Sequence, residues 1–499
     1  MVKDGFMRRI KLVAPAIVFF IVIFLQALFA QEEWKFPIPK GKRIPGENLI
    51  MVPESERFMA FAVMGLWPNT STYYFLPELK KKKGMTDAQL NEVREQFYWL
   101  NFELSHGRVI RNLPKYTQFY VALPDRKYVK ESLGWEKKLF LQFLKEKCGF
   151  TDEDISHRFN FFKSEIQLEW AQDACKVLGR EENGRVVIAY SKGDNNPYVG
   201  TMQNLANDFP EDFRLVEIDR NLSAEGGDED IIWQPGGDVA FLAGRNRALE
   251  YFRRSRQESY EEQSLTKEMV EEARTAYSNA VFGTKVVFMP EKTLLDAKLR
   301  CRETFHLDMI ATTLPDIKGK GFRAFVPSYT KEAYDALTFA PLDPEIMKGA
   351  QREFDLAAEQ FKKMGYAVSR LYFSDHPVRG PVNIGRFRNK ETGKYTVLLA
   401  KYPYHLPPGD PNCPQARINF ILDKLNEETA DWMENPNTQK YNEVVSWIDT
   451  MWRIMDEVAL MPNPIYEAQK KVFTDLGYDV ITIPMYAWGA GGLHCQLMY

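Results

Sequence analysis

Two stretches far apart in the chain follow one plan. "EQFKKMGYAVSRLYFS" (Glu359 to Ser374) and "QKKVFTDLGYDVITIP" (Gln469 to Pro484) each carry a helix-forming run, then Gly-Tyr, then a β-rich run. Glycine can end a helix in the left-handed conformation and release the chain into a strand. "FLKEKCGFTDEDISHRFNFF" (Phe143 to Phe162) is a weaker version of the same unit. At such wide and irregular spacing, these repeats predict one α/β domain built from similar modules with long loops between them.

From Tyr116 onward the β-branched and aromatic runs "TQFYVALP", "RVVIAYS", "FRLVEID", "VAFLAG", "TKVVFMP", "FRAFVP", "YTVLLAKYP" and "DVITIP" are bounded by turn residues and read as strands. No G-x-G-x-x-G and no P-loop lysine motif accompanies them, so a nucleotide-binding doubly wound sheet is not expected. Residues 31–115 differ: a Pro-rich start, "FPIPKGKRIPGE", a solvated lysine run Lys80 to Lys83, and a helix from about Thr86 to Leu104. They read as an N-terminal extension of unknown role before a domain over 116–499.

Residues 1–30 open with Lys3, Arg8, Arg9 and Lys11 and continue in an apolar run to Ala30, the order of a signal peptide. An uncleaved anchor is the alternative, because the run approaches the length of a bilayer crossing. Either way the chain is expected to be exported: periplasmic, secreted or anchored, with a membrane partner only if the leader is retained. The formal net charge is −3, and removing the leader's four basic residues and Asp4 leaves −6, which gives no electrostatic footprint for nucleic acid. Of five cysteines (Cys148, Cys175, Cys301, Cys413, Cys495), four could pair in an oxidising compartment and one would remain, the arrangement that flags a reactive thiol. No Cys/His spacing fits a zinc site.

Four clusters carry chemistry. "EWAQDACKVLG" offers Trp170 and Asp173; if extended, Glu169, Ala171 and Asp173 share one face, although an Asp in such a run is commonly a turn or cap residue. "TFHLDMIATT" places His306 and Asp308 on one face if it is a strand, with Leu307 on the other. "IIWQPGGDVAFLAGRNR" sets paired glycines before a strand, where backbone approaches closely or simply turns. "GGLHCQLMY" places Cys495 behind two glycines.

Taken in order, Trp-x-x-Asp, Pro-Gly-Gly-Asp, His-x-Asp and Gly-Gly-Leu-His-Cys resemble the guanidine-modifying enzymes of the pentein fold, closest to the peptidylarginine and agmatine deiminases. The resemblance covers about Tyr116 to Tyr499 and lies in the ordered set. It implies a five-module α/β propeller with the site at its centre, Cys495 as nucleophile, His306 as general acid and base, and Asp173 and Asp308 gripping the guanidinium. Trp170 matches a tryptophan that lies along the arginine methylenes in the peptidylarginine branch, and Asn383 in "RGPVNIGRF" an asparagine of the agmatine-type members. One position departs. Enzymes acting on free arginine or agmatine carry a Glu before the paired glycines, and here Pro235, after Gln234, stands there. Glu225-Gly226-Gly227-Asp228, ten residues upstream, is a rival register; the later one is preferred because "VAFLAG" follows it directly.

The implied activity is hydrolysis of a guanidino group to a ureido group with release of ammonia, with arginine in a protein or peptide as expected substrate and a small guanidino compound as alternative. An amidinotransferase and a non-catalytic binding protein are the further readings. The chemistry needs no metal or other cofactor. The acid-rich "AEGGDED" carries the carboxylates that a hard cation such as calcium takes, and a solvated acidic loop is the plainer alternative.

Overall fold

The computed structural model describes residues 40–65, 81–124, 132–164, 175–191, 198–304, 306–319, 321–329, 344–373, 380–402, 414–485 and 498–499. The leader, Trp170, Asp173, Cys413 and Cys495 lie outside them. Among the described residues the protein is mixed α/β, with seventeen strands in five small sheets.

Strands β1 (Lys42–Arg43), β2 (Ile50–Met51), β3 (Phe61–Gly65), β4 (Gln118–Pro124) and β5 (Phe159–Ser164) are followed by β6 (Lys176–Arg180), β7 (Val186–Ser191) and β8 (Phe213–Ile218). Then come β9 (Glu229–Trp233), β10 (Val239–Gly244), β11 (Lys285–Met289), β12 (Thr312–Pro315), β13 (Phe322–Tyr329), β14 (Ala367–Phe373), β15 (Gly385–Arg388), β16 (Tyr395–Lys401) and β17 (Asp479–Pro484). The sheets are β3-β4-β5, β1-β2-β6-β7-β8, β9-β10-β11, β12-β13-β14 and β15-β16-β17. Four of them share one design: an antiparallel pair, then a helical crossover to a parallel third strand, as in β9/β10 and β10/β11. Crossovers between parallel strands need a helix, and that is the helix–glycine–strand unit visible in the sequence. Its glycines adopt the positive φ expected: +76° at Gly149, +90° at Gly365 and +97° at Gly477.

The first sheet completes itself differently. β3 runs parallel to β4, and its free edge pairs antiparallel with Met498, through Val63 N to Met498 O (2.8 Å) and Met498 N to Val63 O (3.3 Å).

Apolar clusters link the sheets in succession. Tyr120 shares a cluster with Ile188, Val187 with Phe241, Leu242 with Val326, Phe325 with Leu399, and Leu398 with Val121 of the first sheet. Each sheet thus buries both faces against neighbours, which explains strands such as Val186–Ser191 and Val239–Gly244 that are buried along their whole length. A separate helical cluster joins helix Asp87–Phe102 to helices Pro414–Glu434 and Thr438–Leu460, inserted between β16 and β17. Thr86 caps the first of these with a reciprocal Thr86–Gln89 capping box. Residues 42–65, expected within an extension, supply strands to two sheets, and the 115/116 boundary falls between paired β3 and β4.

Candidate functional site

The residues singled out from sequence share a position in this architecture. Each stands just before a strand or, for Cys495, just before the Met498 bridge. Asp173 precedes β6 by three residues, Glu225 and Asp228 precede β9, His306 and Asp308 precede β12, Asn383 precedes β15, and Cys495 stands three residues before Met498.

His306 and Asp308 are not in a strand. His306 is the cap of a short 3-10 turn, Leu307–Met309, so the alternate-face argument fails and different contacts set their directions. His306 is half-buried, and its Nε2 lies 2.8 Å from Glu225 Oε1. Asp308 is buried and accepts a hydrogen bond from Asn383 Nδ2 at 2.9 Å. Asn383 is held in turn by its backbone N–H, which donates to Gly380 O at 3.1 Å. The structure therefore brings together three of the expected site residues, His306, Asp308 and Asn383, with Glu225 joining them.

The two registers of the paired glycines are now separated. Pro235-Gly236-Gly237-Asp238 is the exposed turn of the β9/β10 hairpin, closed by Gln234 N to Asp238 O (2.6 Å). Pro235 lies against Gly365 at the far end of β9, away from His306. The Pro235 register was preferred because a strand follows it, but a hairpin turn precedes a strand as naturally as a site loop does. Glu225-Gly226-Gly227-Asp228 lies on the His306 side, with Gly226 to Asp228 buried and Glu225 half-buried.

Nor is this acidic stretch solvated. Arg247, fully buried, donates through Nη2 to Glu225 Oε2 (2.7 Å) and through Nε to Asp228 Oδ2 (2.8 Å). Asp228 Oδ1 accepts from Leu307 N at 2.9 Å, tying this loop to the His306 turn. Gly244 is required beside it, since a Cβ there would land on the Asp228 carboxylate. Burial alone would raise the Glu225 carboxyl, but Arg247 and His306 outweigh it and hold it below the usual range. Asp228 goes the other way, pushed up to about 6 by burial despite Arg247. Sequence reasoning missed Arg247; its signal was an arginine two residues inside a helix that starts directly after a strand.

Beneath these approaches the first strands bury a charged layer. Arg386 on β15 donates through Nη2 to Glu54 (2.6 Å) and to Asp230 on β9, and through Nη1 to Thr312 on β12. Arg57 donates to Val177 O on β6 (2.8 Å) and to Tyr499 O (2.7 Å), and the Tyr499 hydroxyl accepts from Arg386 N (2.8 Å). Four sheets and the residues beside Met498 are thereby pinned to one another, since removing any partner would strand a buried charge.

Cys175 and Met498, the described residues nearest Asp173 and Cys495, touch: the Cys175 thiol donates to Met498 Sδ at 3.4 Å. Cys148, Cys175 and Cys301 are free thiols. Burial pushes the Cys175 thiol well up, which makes it an unreactive core residue. Among the described residues no group of three His, Cys, Asp or Glu side chains is placed to hold a metal ion. Compared with known proteins, the chain matches no family model and no curated protein.

Proposed function

We propose that the protein is a guanidine hydrolase of the pentein type, acting on a small free guanidino compound through Cys495. The observation that carries this reading is the contact of His306 with Glu225, beside an Asp308 held by Asn383. These residues come from three separate sheet approaches and face one another across 158 residues of sequence from Glu225 to Asn383. The succession of five sheets, each packed on the next and the fifth on the first, supports the five-module propeller reading. The contact between Cys175 and Met498 supports Asp173 and Cys495 as members of the same site.

In this reading Asp308 and Asp173 hold the planar guanidinium by paired charge-assisted hydrogen bonds. The Cys495 sulfur attacks the guanidinium carbon, and ammonia leaves with a proton from His306. Water then attacks the same carbon as His306 takes its proton; the C–S bond breaks, giving the ureido product and returning the thiolate. Glu225, kept ionised by Arg247, fixes the imidazole so that one ring serves both transfers. No cofactor or calcium enters these steps.

The substrate follows from the acid. Protein-borne arginine was expected while Pro235 occupied the position before the glycines. With Glu225 there instead, the chain follows the pattern of the free-arginine and agmatine enzymes. Incubation with agmatine, free arginine and an arginine-containing peptide, with ammonia and ureido assays, tests this. Turnover of a small substrate with the peptide inert is expected; preferential peptide turnover restores the earlier reading, and no ureido product from any of them overturns the enzyme reading.

A further inference from the structure

The segment that leads to His306 belongs to no sheet, yet side chains from two helices hold its backbone. Two buried charged residues from different helices grip it. Arg245, at the start of helix Arg245–Arg256, donates through Nη1 to Thr304 O (2.8 Å) and through Nη2 to Cys301 O (2.5 Å). Glu353, fully buried in helix Pro344–Lys363, accepts from Cys301 N (2.8 Å) and from the Thr304 hydroxyl. The two charges pair with each other, Arg245 Nη1 lying 2.8 and 2.6 Å from the Glu353 oxygens. Two residues beyond Thr304 stands His306, and one further on Leu307 N is tied to Asp228.

A salt bridge kept only for stability is poorly rationalised here, because a buried pair gains little over apolar side chains of the same volume. What distinguishes this pair is its direction: three of its hydrogen bonds end on the backbone of one irregular segment. Reacting groups need to be held within about half an ångström of productive geometry by just such an outer shell. Resting on the hydrolase reading, we infer that Arg245 and Glu353 are positioning residues for His306, setting the ring against Glu225 so that it can shuttle the proton.

The test uses the full chain with Glu353→Gln and, as a milder change that leaves the Arg245–Glu353 pair intact, Thr304→Val. The expected result is a fall in kcat of about tenfold or more for Glu353→Gln and about threefold for Thr304→Val, with KM within about twofold, because guanidinium binding rests on the aspartates. A shifted pH profile of kcat should accompany it. Independently of substrate, an NMR titration of the His306 ring, assigned by loss of its signal in His306→Asn, should move toward that of a free imidazole as the Glu225 contact loosens. If both variants lose thermal stability while the His306 titration, and kcat where turnover exists, stay as in the parent, the pair is merely structural. If Glu353→Gln does not fold, Thr304→Val decides alone. A parent with no guanidine turnover defeats the proposed function, and the ring titration still decides the positioning role.

Discussion

The chain contains Gly-Gly-Asp twice, at Gly226–Asp228 and Gly236–Asp238, at opposite ends of the same strand β9. The first is wholly buried, and its aspartate ties Arg247 to the backbone of the His306 turn. The second is an exposed hairpin turn whose glycines take φ of +125° and +86° with open space around them, and whose aspartate pairs with Lys42 at the surface. The exposed triplet uses glycine because the turn needs positive φ, whereas the buried one serves to bring its aspartate to Arg247. A short motif therefore states what the backbone can do, while its surroundings decide what it does.

The sharpest way to break this contrast is catalytic. Cys495→Ser should abolish turnover, and Glu225→Gln should lower kcat by about 10²-fold, the lower range for loss of acid–base support. Pro235→Ala should leave it unchanged. Ureido formation reads all three, and a large effect at Pro235 would reverse the register.

Next in size is stability. Asp228→Ala deprives buried Arg247 of one of its carboxylates and should cost about 3–5 kcal/mol, whereas Asp238→Ala, at an exposed pair, should stay within about 0.5 kcal/mol. Urea unfolding of the two variants measures the difference. Gly244→Ala belongs with the first group, since its methyl would displace the Asp228 carboxylate; a loss of about 1–3 kcal/mol is expected and a neutral result would mean that the carboxylate can move.

The smallest effect is one of sign. Asp228 has its folded pKa raised to about 6, above the ordinary 3.8, so the folded state binds more protons between these values. Its contribution therefore weakens stability as pH rises from about 4 to 6. Asp238 has its pKa lowered by Lys42, so its contribution is present above 3.8 and is lost as pH falls below it. Unfolding midpoints against pH should show Asp228→Asn removing a falling slope and Asp238→Asn removing a rising one at lower pH. Equal slopes in both variants would show that burial does not separate the two aspartates.

Much of the fold was legible because the middle strands of the sheets advertise themselves. All eight runs read as strands are strands, and the helix–glycine–strand units are the crossovers. The strands not read include β3, β6, β9, β12 and β15, one from each sheet, besides the two-residue β1 and β2. Lys176, Arg180, Asp230 and Arg386 make most of them look like surface loop, since charged residues are rarely buried without partners. Those partners come from other sheets and are invisible to any local pattern. The same holds for the site: His306, Asp308 and Asn383 stood out by type and order, whereas Arg247, Arg245 and Glu353 did not.

The sequence alone determined the modular α/β plan, because helix ends, glycine conformation and β propensity act over a few residues. It also singled out His306, Asp308 and Asn383 by type and order. Only the tertiary structure decided which Gly-Gly-Asp lies beside His306, that residues 42–65 build two of the sheets, and that the acidic "AEGGDED" stretch is buried rather than solvated. Each of these depends on a charge meeting its counterpart from a distant strand in a medium where an unpaired charge is prohibitively costly, and sequence spacing does not encode that meeting.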